Sequence, residues 1–282
     1  MADSPSFIVN LDHLGLIAIR GNKAMDFLQG QFTCDMREVT PTQTRLAAHC
    51  NAKGRVLSSF RVIHYDGQLY LITPKTMQTA IIQQLIKPAQ LSRITLEIED
   101  KLQLLGCVGD SLSQKLTTYF PCLPEATDAA QLSNNALAIR IRNDQARFLV
   151  VYDQAFSLAP LDHPQRNNDY WRLLDIQSGI ASIQPGTSGL FTPHMLNYPA
   201  LNAVSFKKGC YIGQEVVART EYLGKSKRGL WLASIAYDTL PLPGDPLYGK
   251  DETLVGTVVE AAFDEAGDCQ LLAVANTAAA VN

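Results

Sequence analysis

One segment of the chain, VSFKKGCYIGQEVVART at 204–220, concentrates residue types that could do chemistry. Cys210 offers a thiol, and the ammonium of Lys208 would favour the reactive thiolate if the two side chains meet. A buried, inert cysteine is the alternative. The segment is therefore the candidate chemical centre, and the rest of the sequence must indicate what kind of centre it is.

The residues beside Cys210 are suited to binding a polar ligand. Gly209 and Gly213 let the backbone approach a ligand closely, because they carry no side chain. Gln214 and Glu215 bring an amide and a carboxylate, which can pair with the edge of a polar ring. The pattern predicts a binding site, with a solvated loop as the alternative.

This part of the chain is locally basic, although the whole chain has a formal net charge of −3. The basic strip comprises Lys207, Lys208, Arg219, Lys225, Lys227 and Arg228. Only Glu215 and Glu221 oppose it within this part of the sequence. A nucleic-acid-binding domain is usually strongly basic, so the overall charge disfavours direct nucleic-acid binding.

The six cysteines, at 34, 50, 107, 122, 210 and 269, form no C-x-x-C pair and have no histidine at ligand spacing. This scatter predicts a reducing compartment and no permanently bound metal. The chain shows neither a signal-peptide pattern nor an uncharged stretch long enough to span a bilayer. We therefore expect a cytoplasmic protein without membrane partners.

The elements that must position the segment alternate irregularly between strands and helices. We predict a strand at Leu14–Arg20, a hairpin that turns at Asp66-Gly67, a helix through Met77–Leu85 that Pro88 ends, and a helix at Tyr170–Ser178 that Gly179 ends. A loop-rich stretch follows at 181–204, and short strands from 228 onward predict a small antiparallel barrel or sandwich. Without regular βαβ alternation, the pattern indicates an α+β fold.

The stretch FKKGCYIGQE resembles the signature K-G-C-x-x-G-Q-E of the YgfZ family of folate-binding proteins. The stretches LQGQFTCDM, RLAAHCNAKGRV, WRLLDIQSGI and SGLFTPHMLN resemble the same family in the same order, so the resemblance covers roughly Leu14 to Trp231. Members are relatives of the glycine-cleavage T-protein, an aminomethyltransferase that uses tetrahydrofolate. The resemblance implies an α+β fold with three domains around a central folate channel and a small C-terminal β-barrel.

The resemblance also suggests domain limits and site residues. Residues 1–90 and 160–227 would form a discontinuous folate-binding domain, 91–159 an α+β ferredoxin-like domain, and 228–282 the β-barrel. Besides Cys210 as the functional thiol, the implied folate-binding residues are Trp171, Lys208, Gly209, Gly213, Gln214, Glu215 and Arg219. The Trp171 ring would stack on the folate, a contact worth about 1 kcal/mol, with a core anchor as the alternative.

Two departures from the family and its relatives affect the expected chemistry. Leu14 stands where the family can show a second tryptophan, which removes one aromatic wall. Ser58 and Ser59 stand where the transferases carry an aspartate pair. A hydroxyl cannot hold the negative charge that stabilises a cationic intermediate, so we expect an accessory role rather than aminomethyl transfer.

The function that the resemblance implies is a tetrahydrofolate-binding accessory protein for assembly or repair of iron-sulfur clusters in selected enzymes. It would support tRNA thiomethylation indirectly. The expected cofactor is tetrahydrofolate or another reduced folate, and the expected partners are iron-sulfur enzymes or their assembly machinery. A folate-dependent one-carbon transferase or demethylase and a direct tRNA-binding module remain alternatives. Cys210 could be a redox-sensitive nucleophile, a transient contact to iron or a cluster, or a packing residue.

Overall fold

The structure is a computed structural model that describes residues 6–133, 135–154, 156, 161, 163–224, 226–249 and 252–276. Its strands are β1 (Phe7–Asn10), β2 (Leu14–Arg20), β3 (Arg45–Cys50), β4 (Val56–Tyr65), β5 (Gln68–Pro74), β6 (Thr95–Glu99), β7 (Leu102–Val108), β8 (Ala130–Ser133), β9 (Ala136–Arg140), β10 (Arg147–Asp153), β11 (Gln165–Arg166), β12 (Arg228–Ile235), β13 (Pro246–Tyr248), β14 (Leu254–Phe263) and β15 (Cys269–Asn276). Its α-helices are α1 (Ala24–Gln31), α2 (Lys75–Leu91), α3 (Asp110–Leu116), α4 (Asn168–Gln177) and α5 (Gln214–Leu223). This irregular order of strands and helices confirms the α+β prediction.

The strands form three sheets. The first has the order β11-β1-β7-β10-β9-β8, in which β1 and β11 are parallel and the other neighbours antiparallel. The second has the order β3-β4-β5-β2-β6. The third, β12-β15-β14-β13, is antiparallel and accounts for the short strands of the C-terminal tail. Its closure into a barrel stays a prediction.

The chain divides into two compact units. Unit 1 comprises the described residues within 1–25, 37–45 and 61–171, and unit 2 those within 26–36, 46–60 and 172–282. The signature segment and the C-terminal sheet both belong to unit 2. The three-domain division stays a prediction, and its limit at 159/160 lies outside the described residues.

The predicted hairpin is confirmed between β4 and β5. Tyr65 pairs with Gln68 across the turn, and Asp66 and Gly67 have φ angles of 47° and 74°. Two consecutive residues in the left-handed region are the signature of a type I′ turn, for which Asp-Gly is a preferred sequence. The predicted end of α4 at Gly179, with φ of 68°, is confirmed as well.

The prediction that Pro88 ends a helix is wrong, because α2 continues to Leu91. The buried face of α2, with Met77, Ile81 and Leu85, extends by one more turn to Ala89. Proline removes one helical hydrogen bond. Burial of Ala89 in this turn offsets part of that loss. No helix in the described part of the chain is long and apolar enough to cross a membrane.

Candidate functional site

The signature segment enters α5 through Gly213, the residue before the first helical turn. Gly213 has φ of 84°, a conformation that side chains other than glycine rarely adopt. A Cβ atom here would collide with the carbonyl oxygen of Asn51 and lie 3.1 Å from Cα of Gly54. The second glycine of the signature is therefore required by close backbone packing within unit 2.

The other side of this contact is the turn in the stretch NAKGRV. The Asn51 side-chain oxygen accepts the N–H groups of Lys53 at 2.9 Å and Arg55 at 3.1 Å, which fixes the turn. Gly54 has φ of 67°, and its added Cβ would lie 3.0 Å from Cβ of Val216. Two motifs that are distant in sequence therefore meet backbone to backbone.

Lys208 is the buried lysine of the segment, with 5% of its surface exposed. Its ammonium donates to the carbonyl oxygens of Phe32 and Cys34, both at 2.7 Å, and lies 5.3 Å from the centroid of the Tyr211 ring. Hydrogen bonds from a charged donor are stronger than neutral ones. Lys208 thus fastens the segment to the chain after α1, and this geometry gives no support to the field that we expected it to exert on Cys210.

The outer face of the segment carries the remaining predicted site residues. Cys210 and Gly209 are exposed, and Gln214 is half-buried. The Glu215 carboxylate accepts a hydrogen bond from Arg219 at 2.7 Å, with side chains 83% and 65% exposed. An exposed pair of this kind contributes little to stability. The Glu215 and Arg219 side chains and the thiol face solvent, where a ligand or partner could reach them, and Gln214 is partly accessible.

All six cysteines lie in the described part of the chain, and none of them forms a disulfide bond there. Cys210 and Cys122 are the exposed ones. Burial raises the pKa of Cys50 and of Cys107 to about 12, which makes both inert as thiolates near neutral pH. Among the described residues no group of three or more His, Cys, Asp or Glu is arranged to hold a metal ion.

Two buried hydroxyl groups in unit 2 have no hydrogen-bond partner among the described residues: those of Tyr211 and Ser58. Burial, with a smaller contribution from the charge of Cys50, raises the pKa of Tyr211. Ser59 differs from its neighbour, because its hydroxyl accepts the N–H of Ile183 at 2.8 Å. Buried polar atoms nearly always have partners. The two hydroxyls are therefore candidates for contact with a polar group that the described residues do not supply.

Trp171 belongs to unit 1 and is only 2% exposed. The Arg147 guanidinium lies over its ring at 3.8 Å from the centroid and donates to its backbone carbonyl oxygen at 3.1 Å. A Cβ atom on Gly106 would lie 2.5 Å from ring atoms of the indole. A folate that stacked on this ring would have to displace Arg147. Contact between Trp171 and folate stays a prediction, and its alternative, a core anchor, describes the packing seen here.

The basic strip is less uniform than its sequence indicates. Lys208 is buried, and Arg219 is paired on α5. Arg228 is half-buried and donates to the carbonyl oxygen of Val274 at 3.1 Å. Lys225 lies outside the described residues. Lys207 and Lys227 are exposed. Because Lys208 is buried, the described residues do not form a surface of six cations.

Tyr211 and Glu260 were not predicted as functional residues. Tyr211 occupies a variable position of the signature, where the pattern prescribes no residue type. Glu260 lies in β14, is 6% exposed and is the single charged residue of LVGTVVEAAF. A carboxyl group in an otherwise apolar strand was the signal that could have identified it.

The whole fold has a solved counterpart. The crystal structure of glycine cleavage system aminomethyltransferase T from Bartonella henselae matches 98% of this chain and 80% of its own, with a TM-score of 0.74 and 16% sequence identity. The protein therefore has the fold of this class of aminomethyltransferase.

Curated relatives give the family. The protein called tRNA-modifying protein YgfZ is 34% identical in Klebsiella pneumoniae over 276 residues, which cover 95% of this chain and 84% of the relative. The protein of the same name in Photorhabdus laumondii is 35% identical over 91% of this chain and 80% of its own. The protein of the same name in Colwellia psychrerythraea is 34% identical over 80% of this chain and 71% of its own. The chain belongs to the YgfZ family. No family model matches it.

Proposed function

We propose that the protein binds a reduced folate at the signature segment of unit 2 and serves as an accessory protein for iron-sulfur enzymes, so that it supports tRNA modification. The observation that carries the ligand proposal is the pair of buried hydroxyls, Tyr211 and Ser58, that lack partners in the described structure. Tyr211 lies within the signature segment, and Ser58 follows the turn on which Gly213 packs. A bound folate would supply hydrogen-bond partners to both.

The accessory role is favoured over aminomethyl transfer by the chemistry at 58 and 59. Ser58 is buried, and neither serine can carry the charge that an aspartate offers to a cationic intermediate. The names of the relatives support the connection to tRNA modification. Neutral hydroxyls can bind a folate without taking part in one-carbon transfer. We therefore propose binding without transfer.

Calorimetric titration with tetrahydrofolate tests the ligand. Tyr211→Phe keeps the ring and removes the hydroxyl, so folate affinity should fall about tenfold, as expected for one lost hydrogen bond of about 1.4 kcal/mol. Tyr119→Phe is the matched control, because Tyr119 also has a buried hydroxyl without a described partner but belongs to unit 1. Equal affinity of the Tyr211 variant and the parent would contradict the site, and no binding at all would contradict the ligand.

The thiol is tested separately, with Cys122 as its exposed counterpart. An alkylating probe should label both exposed thiols in the folded protein, and tetrahydrofolate should protect Cys210 alone. In cells that depend on the protein, Cys210→Ser should lower tRNA thiomethylation under oxidative stress, whereas Cys122→Ser should not. Full complementation by the Cys210 variant would assign this residue to packing or to no role.

Two further assays separate the alternatives. Transfer of formaldehyde to tetrahydrofolate by the purified protein would favour a one-carbon transferase. Salt-dependent retention of tRNA would favour a direct tRNA-binding module. We expect neither result, because Ser58 and Ser59 replace the acidic pair and the basic strip is interrupted.

A further inference from the structure

Unit 2 contains a cavity of about 270 Å³ beside the C-terminal sheet. One wall is the segment Leu240–Pro243, which connects β12 to β13, and another is β14 at Glu260 and Ala261. Arg172 from α4 and Gln184 complete the lining. Apolar walls with a few polar groups are typical of small-molecule sites, and this one is smaller than most.

Glu260 is the unusual member of this lining. It is 6% exposed, and its Oε2 atom is buried without a hydrogen-bond partner in the described structure. The strand is irregular here, because the register of β14 on β15 shifts between Val258 and Glu260. Burial raises the Glu260 pKa to about 8, and the Asp175 charge adds to this. The Arg172 charge and the Ser182 N–H act in the opposite direction.

A buried carboxylate with an unpaired oxygen atom destabilises the fold unless a hydrogen-bond donor or a positive charge compensates for its burial. A protonated amine would do so, because it donates hydrogen bonds to the unpaired oxygen and supplies a positive charge. The rest of the ligand would lie against Leu240, Pro241 and Ala261, so it should be aliphatic. Glu260 is the one carboxylate among these lining residues, so a second ammonium would be buried without a charged partner, which disfavours diamines and polyamines.

We propose that this cavity binds a small aliphatic monoamine in its ammonium form, with the nitrogen on Glu260. The site is separate in its residues from the proposed folate site, and it does not depend on that proposal. The volume is too small for a folate, whose anionic glutamate would also meet the Glu260 carboxylate.

Calorimetric titration of the full chain with three probes of one shape tests the proposal. Isopentylammonium, isopentanol and isovalerate share an aliphatic body and differ in charge. We expect saturable binding of the ammonium, at least tenfold weaker binding of the alcohol and none of the carboxylate. At pH 7 binding of the ammonium should release the proton of the Glu260 carboxyl group to the buffer, because Glu260 must ionise while the ligand keeps its charge. Arg172 and Asp175 are the other charged groups near that carboxyl.

Two variants locate the binding. Glu260→Gln should abolish the preference for the ammonium over the alcohol. Glu265→Gln changes the charge equally at an exposed position of the turn between β14 and β15, and it should leave binding unchanged. Equal binding of ammonium and alcohol by the parent, or a preserved preference in the Glu260 variant, would overturn the proposal. The parent probe series gives this answer even if a variant folds poorly.

One more comparison distinguishes this site from the folate site. Saturating tetrahydrofolate should not displace isopentylammonium, and Tyr211→Phe should leave amine binding unchanged. Displacement would overturn the assignment of a second site. Failure of folate binding alone would leave the amine proposal intact.

Discussion

Replacement of Lys208 by methionine should destabilise unit 2 by about 3 kcal/mol. Methionine retains much of the apolar stem and removes the ammonium, which donates to the carbonyl oxygens of Phe32 and Cys34 at 2.7 Å each. A hydrogen bond from a charged group contributes roughly 1.5–3 kcal/mol, so two contribute roughly 3–6 kcal/mol. The lower end applies, because the substitution also removes the cost of burying a charge.

Urea unfolding measures this loss, and the neighbouring lysine supplies the control. Lys207 is exposed, so Lys207→Met should change the free energy of unfolding by no more than about 0.5 kcal/mol. The two variants have the same net charge and the same composition. If both variants lose equally little free energy of unfolding, Lys208 does not anchor the segment. The buried hydrogen bonds would then lack the strength that we assign to them.

Three other substitutions test particular packing and charge effects. Gly213→Ala should lower the free energy of unfolding by about 2 kcal/mol, because the left-handed backbone is strained and the new Cβ meets a carbonyl oxygen. Gly209→Ala should lower it little, because no atom lies within 4 Å of its Cβ. Equal urea midpoints of the two variants would contradict this. Burial raises the Glu260 pKa from 4.5 to about 8, so the folded chain keeps a proton that the unfolded chain loses, and stability falls as pH rises between these values. Glu260→Gln should therefore be more stable than the parent above pH 8, by at most about 5 kcal/mol, and this difference should shrink toward pH 4. A difference in the free energy of unfolding that is constant with pH would refute this prediction. Gly106→Ala should lower the free energy of unfolding by about 1–3 kcal/mol, because the added Cβ overpacks against the Trp171 ring. If tryptophan fluorescence and stability are unaltered, the ring is not confined at this contact.

Features that depend on a few neighbouring residues were predictable from the sequence. The Asp66-Gly67 turn follows from the φ angles that these two residues tolerate, and the end of α4 follows from Gly179 in the left-handed region. That the signature stretch forms a binding site stays a prediction, which rests on its glycines and polar residues. These inferences needed only local chemistry.

Features that depend on distant contacts were not predictable in this way. The local signal of Pro88 was overridden by the burial of Ala89 on the same face of α2. Lys208 was predicted as a member of the basic strip and as a folate-binding residue, but its ammonium is buried at carbonyl groups more than 170 residues away in sequence. The contact of Gly213 with Asn51 also joins distant parts of the chain. No pattern within either segment encodes such a contact.

The residues of the signature therefore have two kinds of role. Some hold the segment in its conformation, and others are available to a ligand or partner. Gly213 and Lys208 hold the segment, because one permits close backbone packing and the other fastens the segment to buried carbonyl groups. Cys210 is presented to solvent, while the Tyr211 hydroxyl is buried without a described partner. Loss of function in a Gly213 or Lys208 variant would report on folding as much as on chemistry. Substitutions that change a single atom, at the exposed Cys210 sulfur or at the buried Tyr211 oxygen, can separate ligand binding from the stability of the fold that supports it.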